Sequence, residues 1–551
     1  MIHLKRALIS VSDKTGIIEL ARKLAEAGYE LISTGGTAST LEQAGLTVTT
    51  VENVTGFPEC MDGRLKTLHP RIFGGLLSIR DNEGHCHAMS THGIEAIDIL
   101  VVNLYPFQKA VEEVTEGLDE IKEMEKTEAV HGEVPVEIIE QIDIGGLALI
   151  RAAAKNYKYV TVVTSPADYA ELAQRVLSTG QNDNKKIDES YRLNLAAKAF
   201  RYTAAYDAYI AGYLSEITGQ TLPEKLTLTF NKHSDMRYGE NPHQSAAYYR
   251  RTGIKSKGIE SAHILHGKAL SFNNIADAHA ALELAREFPK QIVCVAVKHA
   301  TPCGVAIGKT LLDAYTAAHD CDAMAIFGGI VCVNQEVDAH TAQKMHEIFL
   351  EIIIAPSFCA EALEILRQKK NIRLLSLTGL ARKSDRDINL SNSTNLTKKH
   401  AFEFKSVGDG LLIQDVDNTN IEEEPLVTVT NVAPTTKQIA DLIFAMKVAK
   451  HVKSNAIVVA KDGQTIGIGG GEVSRFNAAV SALERAGDKS QGAVVASDAM
   501  IPFTDVVNAC VLGGISAIIQ PGGSRNDQVV IDFCNEHGIA MIHTGVRHFA
   551  H

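Results

Sequence analysis

Short runs of aliphatic and β-branched residues alternate with segments whose apolar positions recur every three to four residues, from residue 6 to residue 165. RALISV (6–11) reads as a strand, and Lys14 to Ala27 has helical spacing that stops at Gly28. YELIST (29–34) is a second strand, followed by Gly35, Gly36 and another helix. LTVTTV (46–51), IDILVVNLY (97–105) and YVTVVTS (159–165) supply further strands. Such alternation predicts a parallel sheet covered by helices, the α/β class. Residues 190–215, rich in Ala and Tyr, read as one long helix, and TGQTLPEK (218–225) as a linker. A second α/β pattern follows, with strands near 292–297, 324–333, 456–460, 492–496 and 515–520. The predicted division is therefore residues 1–220 and 226–551.

A chain of 551 residues exceeds what one hydrophobic core organises, which agrees with that division. No stretch approaches the ~18 apolar residues of a membrane span. The N-terminus runs straight into a βα pattern without a signal-peptide core. Nine cysteines, odd in number and without a C-x-x-C pair, fit a reducing cytoplasm better than a disulfide framework. Net charge is −12 and pI near 6.0, which argues against non-specific nucleic-acid binding. Residues 109–140, with eleven Asp or Glu against three Lys, read as a solvated segment. Residues 380–425, rich in Asn, Ser, Thr and acids, read as an excursion.

Two loops in the first domain share one arrangement: a strand ends, Ser, Thr and Gly follow, and a helix starts. They are SVSDKTG (10–16) and STGGTAS (33–39). Unpaired amides at a helix N-terminus favour an anion, glycines allow close approach, and Lys14 adds a charge. GRLKTLHP (63–70) contributes Arg64, Lys66 and Thr67. Ordinary N-capping would explain each loop alone. Together they point to a sugar-phosphate site at strand ends. Neither a Walker nor a dinucleotide glycine pattern is present, and IGIGGGE (466–472) reads as a tight turn.

VKHATPCGVA (297–306) carries the other candidate chemistry: a Lys-His pair at a strand end, then a Pro-Cys-Gly turn. A zinc deaminase needs a glutamate two residues after the histidine and a second thiolate three residues after the cysteine. Thr301 and Ala306 stand there, so no catalytic metal is expected. Two readings remain, an exposed strand end or a proton-transfer pair of His299 and Lys298.

SVSDKTG, STGGT, TGFPE, GRLKTLHP, NLYPF, QIDIGG and RAAAKN resemble the cyclohydrolase half of the AICAR transformylase/IMP cyclohydrolase family. RYGENPHQ, VKHATPCG, IIIAPSF, SNAIVVAKDGQTIGIG, SDAMIPF and the terminal RHFAH resemble its transformylase half. The resemblance implies a methylglyoxal-synthase-like parallel-sheet domain, then a cytidine-deaminase-like transformylase region of two subdomains. It also implies the last two steps of IMP synthesis. A formyl group passes from 10-formyltetrahydrofolate, the co-substrate, to AICAR, and formyl-AICAR then closes with loss of water. His299 matches the base, Lys298 the proton donor or oxyanion stabiliser, and Asn455 the amide on the formyl oxygen. Arg237, Tyr238, Gly328, Glu351, Arg547 and Phe549 match nucleotide or folate contacts. Lys66, Tyr105, Asp143 and Lys155 match the cyclisation group, and Asn103 a nucleotide contact. Ser12, Lys14, Thr34, Gly35, Gly36, Thr37, Arg64 and Thr67 match phosphate contacts. The implied partners are AICAR, formyl-AICAR, IMP and a second copy of the chain, with the transformylase site near the dimer interface and neither nucleic acid nor membrane involved. A nucleotide sensor built on the same N-terminal fold would keep the phosphate loops but lack the Lys66, Tyr105, Asp143 and Lys155 set.

Overall fold

The first strand, Arg6–Val11 (β1), carries apolar residues on both faces, and Ala7, Leu8 and Ile9 are fully buried. A strand buried on both sides belongs inside a helix-covered parallel sheet. In the computed structural model, which describes residues 4–61, 63–114, 134–178, 187–253, 258–380 and 402–551, that is where it lies. With β2 (Glu30–Ser33), β3 (Thr49–Thr50), β4 (Ile99–Asn103) and β5 (Thr161–Val163) it forms a parallel sheet of order β3-β2-β1-β4-β5. Only Thr49 and Thr50 of the expected 46–51 strand pair with a neighbour, because this edge segment meets β2 alone. The strand order reverses between β1 and β4, the place where α/β sheets open a crevice.

Four helices matter to that crevice. In α1 (Ile17–Glu26) the buried Ile17, Leu20, Ala21 and Leu24 make one stripe on the sheet. Helix α2 (Gly35–Gln43) starts where β2 ends, and α3 (Gly145–Lys155) starts near the end of β4. Helix α4 (Glu189–Ile217) is the long Ala/Tyr helix, capped by Asp188, whose carboxylate accepts from the Tyr191 amide.

The chain divides into two compact units, Met1–Asn231 with Arg250–Gly253, and Lys232–Tyr249 with Ile254–His551. The acidic-segment reading falls in part on residues 115–133, and the excursion reading in part on 381–401; both stretches lie outside the described residues.

The second unit holds a twelve-stranded sheet made of two copies of one plan. In the first copy a capped helix, α5 (Phe272–Arg286), leads into a hairpin of β6 (Ile292–Lys298) and β7 (Thr301–Gly308). Three helix–strand steps follow, ending in the strands Ile330–Val333, Ile352–Ala355 and Arg373–Ser376. In the second copy α6 (Thr436–Ala449) leads into β8 (Ile457–Lys461) and β9 (Gln464–Gly469). Its three steps end in Val494–Ser497, Ala517–Gln520 and Ala540–His543. Both leading helices begin with a capping box, Ser271 with Asn274 and Thr435 with Gln438. The copies join where β7 runs antiparallel to β9. Alternation along β6 sends Val293, Val295 and Val297 to the core shared with α5 and α6, and Cys294 and Ala296 to the opposite core.

Three sequence expectations change here. IGIGGGE is no tight turn: its first four residues belong to β9, since a Cβ on Gly467 or Gly469 would strike carbonyls of the helix Arg475–Ala486. These glycines let helix and strand touch. Thr-Pro-Cys-Gly is no turn either, but the start of β7, with a register shift between Pro302 and Gly304. The turn falls on His299 and Ala300 themselves, both with φ of 55°. The strand expected over 324–333 shortens to Ile330–Val333, leaving Gly328 in a loop at φ 71°.

Candidate active sites

In the N-terminal unit the carboxyl ends of β1, β2 and β4 open into a cavity of about 600 Å³. Its lining includes Ser12, Lys14, Thr34, Gly35, Gly36, Thr37, Arg64, Lys66, Thr67, Asn103, Tyr105 and Asp143. Thr34 is the N-cap of α2 but makes no side-chain cap, which leaves amides of that helix directed at the cavity. A methyl built on Gly35 would lie 3.8 Å from Lys66 Nζ, and one on Gly36 3.9 Å from Lys14 Nζ. Two ammonium groups thus converge on one uncapped helix start, an arrangement suited to phosphate.

Other residues of the set hold the loops in place. Thr37 Oγ1 accepts from the Val11 amide and donates to the Val11 carbonyl, pinning α2 to the end of β1. Asn103 Oδ1 accepts from the amides of Ser12 and Asp13 and from the Ser12 hydroxyl. Ser12 Oγ also lies 2.6 Å from the Leu104 carbonyl, so its loop is bound twice to the end of β4. Lys66 pairs with Glu59 at 3.2 Å, and Arg64 with Glu140. Burial raises the Asp143 carboxyl above its ordinary value, opposed by hydrogen bonds from the Gly146 and Tyr105 amides. Two tyrosines of α4 that the sequence reading passed over support this side. Tyr206 Oη accepts from the Asp143 amide and donates to the Gln141 carbonyl, while Tyr202 Oη accepts from the Leu104 amide. Their signal was present as two tyrosines one helical turn apart. Lys155 is not brought to the cavity: it is exposed at the C-terminal end of α3, whose first residue, Gly145, lines it.

In the second unit the strand directions decide which residues meet. β6 runs antiparallel to β7, β7 to β9, and β9 to β8, so the end of β6 and the start of β8 face the same sheet edge. Lys298 ends β6 and His299 follows it at that edge, and Asn455 precedes β8. Gly328 and Glu351 precede strands that also start there, and Arg547 and Phe549 follow the strand Ala540–His543, which ends there. Asn273, at the start of α5, donates to the Glu240 carbonyl at 3.4 Å and so brings in the Arg237–Tyr238 loop. Within that loop Gln244 Oε1 accepts from the Asn241 amide.

Lys298 Nζ donates to the Phe327 carbonyl at 3.0 Å, beside Gly328. Glu351 accepts from Arg373 at 2.7 Å and from Asn274 at 3.5 Å, which ties it to the cap of α5. Asn455 gives one side-chain N–H to the Glu472 carbonyl at 2.9 Å, leaving the second for another acceptor. The guanidinium of Arg237 lies 5.6 Å from the Tyr238 ring centre, and that of Arg547 4.4 Å from the Phe549 ring centre. Between the exposed Arg547 and Phe549 the inward His548, 2% exposed, meets Asp417 at 2.7 Å. That anchor of the terminal RHFAH was missed, because nothing in the sequence pairs residues 417 and 548.

The AICARFT/IMPCHase bienzyme family model matches residues 153–485, and an MGS-like domain model matches residues 16–148. The chain is 51% identical over 547 residues to "Bifunctional purine biosynthesis protein PurH" of Thermoanaerobacter sp., covering 99% of this chain and 100% of the relative. It is 49% identical over 547 residues to the protein of that name from Oceanobacillus iheyensis, with 99% and 100% covered. The one from Ruminiclostridium cellulolyticum is 48% identical over 549 residues, with 100% of each covered. The chain belongs to the AICARFT/IMPCHase family. Membership makes it a bienzyme of purine biosynthesis, a formyltransferase joined to an IMP cyclohydrolase. Its parallel five-stranded sheet is the MGS-like part, and a formyltransferase implies a folate co-substrate.

Proposed function

We propose that the N-terminal cavity closes the purine ring and that the sheet edge bearing His299 transfers the formyl group. Residues 1–220 carry the first role and residues 226–551 the second. At the sheet edge the exocyclic amine of AICAR attacks the formyl carbon of 10-formyltetrahydrofolate. The amine is a weak nucleophile because the ring withdraws its electrons, so His299 removes its proton during attack. Lys298 and the free N–H of Asn455 meet the developing oxyanion, and on its collapse the leaving folate nitrogen takes a proton from Lys298, which the protonated His299 restores. Arg237, Tyr238, Gly328, Glu351, Arg547 and Phe549 hold the nucleotide and the folate. Tetrahydrofolate and formyl-AICAR leave.

In the cavity the carboxamide nitrogen of formyl-AICAR attacks its own formyl carbon, and loss of water gives IMP. Orientation dominates such a ring closure. Lys14 and the start of α2 hold the phosphate with Ser12, Thr34, Gly35, Gly36, Thr37, Arg64 and Thr67. Lys66 stabilises the oxyanion, and Tyr105 with Asp143 moves the proton. The convergence of Lys14 and Lys66 on the uncapped start of α2 is the observation that carries this reading.

The chain acts in the cytoplasm as a homodimer. In support, Met324, Phe327, Val473 and Phe503, in loops at the strand ends of the transformylase edge, are exposed large apolar side chains of the kind a second copy would cover. No helix among the described residues is long and apolar enough to cross a membrane. Purified full-length chain mixed with AICAR and 10-formyltetrahydrofolate should yield both tetrahydrofolate and IMP. Formation of only one product would remove one of the two assignments.

A further inference from the structure

The two copies in the second unit place the same device at opposite ends of the sheet. Each leading helix carries an aspartate at the same position from its cap, Asp277 in α5 and Asp441 in α6. Each aspartate grips the two-residue turn of the following hairpin. Asp441 accepts from the amides of Asp462 at 3.1 Å and Gly463 at 2.8 Å. Asp277 accepts from the amide of Ala300 at 2.7 Å.

The turns have one backbone form and different residues. Asp462 and Gly463 have φ of 56° and 70°, and His299 and Ala300 both have φ of 55°. Two successive left-handed residues make the hairpin turn that Asp-Gly favours. His-Ala has no glycine to relieve the left-handed strain, and such strain persists only where the surroundings hold it. The carboxylate on the Ala300 amide is the hold the structure shows. His299 also sits within the field of that carboxylate: burial raises the Asp277 carboxyl, while the Ala300 amide and His299 draw it back down.

We propose that Asp277 is a positioning residue for formyl transfer, its carboxylate fixing the His299–Ala300 turn in the left-handed form that presents the imidazole to the substrate. This rests on the reading of His299 as the base. A base displaced by about an ångström loses on the order of 10²-fold in rate, so a strained turn under the base needs such an anchor. Asp441 is the built-in control. It makes the same contact at the far edge, where glycine already permits the turn.

The test uses the full chain and measures formyl transfer with AICAR affinity and thermal unfolding on the same samples. Asp277→Ala, which removes both acceptor oxygens, should lower kcat for formyl transfer by roughly 10- to 100-fold with the AICAR KM within about 3-fold. Adding Ala300→Gly should recover most of that loss, because glycine takes the left-handed form unaided. Asp441→Ala should leave kcat within a few-fold of wild type. Should Asp277→Ala fail to fold, Asp277→Val is expected to show the same loss and the same recovery. Near-normal kcat in Asp277→Ala, an equal loss in Asp441→Ala, or no recovery with Ala300→Gly would each overturn the proposal. His299→Ala separates the two ideas. If it stays active, the reading of His299 fails; if it is inactive while Asp277→Ala is normal, only the role of Asp277 fails.

Discussion

The two sites are assembled by opposite means. In the N-terminal unit the crevice follows from topology: parallel strands end together, helix starts point into the gap, and lysines are added. In the C-terminal unit the sheet edge supplies a platform, and the base proposed for formyl transfer sits on one unfavourable turn. The difference fits the two reactions as proposed. A ring closure that needs its reactants oriented is served by a rigid cradle of backbone and cations. A transfer that needs a proton removed at the right moment depends on where one imidazole points.

The sharpest way to break this comparison is at His299. His299→Ala should reduce formyl transfer by about 10²–10⁴-fold and leave cyclisation of supplied formyl-AICAR nearly unchanged. Both rates are read on one sample, and a matched loss of both would show that the two chemistries are not divided as described. The reciprocal change is Lys66→Ala. Removing one oxyanion donor typically costs about 10²–10³ in rate, here in cyclisation, with formyl transfer spared. An unchanged cyclisation rate would take the oxyanion role away from Lys66.

A smaller effect is expected behind the cavity. Tyr206→Phe leaves the Asp143 amide and the Gln141 carbonyl without their shared hydroxyl. Leaving such groups unpaired costs about 1–3 kcal/mol, so unfolding should come earlier and cyclisation should fall by roughly 10-fold. A rate drop in formyl transfer instead would mean that α4 serves the other site.

One further effect concerns stability and leaves both rates untouched. Burial pushes the Glu287 carboxyl up, but His451 and Lys450 outweigh it and bring it from 4.5 down to about 2. Because the folded value is depressed, this stability is present above about pH 4.5 and is lost as pH falls towards 2. Its size is on the order of 3 kcal/mol. Denaturant unfolding of wild type and Glu287→Gln across that range should converge as pH falls. Parallel curves would show that Glu287 is not linked to folding in this way.

Much of the cavity was legible beforehand because its residues are local in sequence: SVSDKTG, STGGT and GRLKTLHP each announce a strand end, a glycine or a cation. Lys155 lies at the far end of α3 from Gly145, which lines the cavity, a separation that an eleven-residue helix sets and a short motif does not show. The VKHATPCG stretch was misread as geometry. Pro-Cys-Gly has the composition of a turn, yet pairing with β6 holds it as a strand and moves the bend onto His299 and Ala300.

The sequence by itself determined the α/β class, the run of buried strands, the Ser/Thr/Gly loops at strand ends and the place of Lys298 and His299 at a strand end, because periodicity and short motifs act over a few neighbours. Tertiary structure alone decided the rest. It brought Lys14 and Lys66 to one helix start, set Asn455 and Arg547 on the same edge as His299, and laid Asp277 under a left-handed turn. Those placements follow from strand order and from a duplicated plan packed across one sheet, which couples residues far apart in sequence that no local pattern joins.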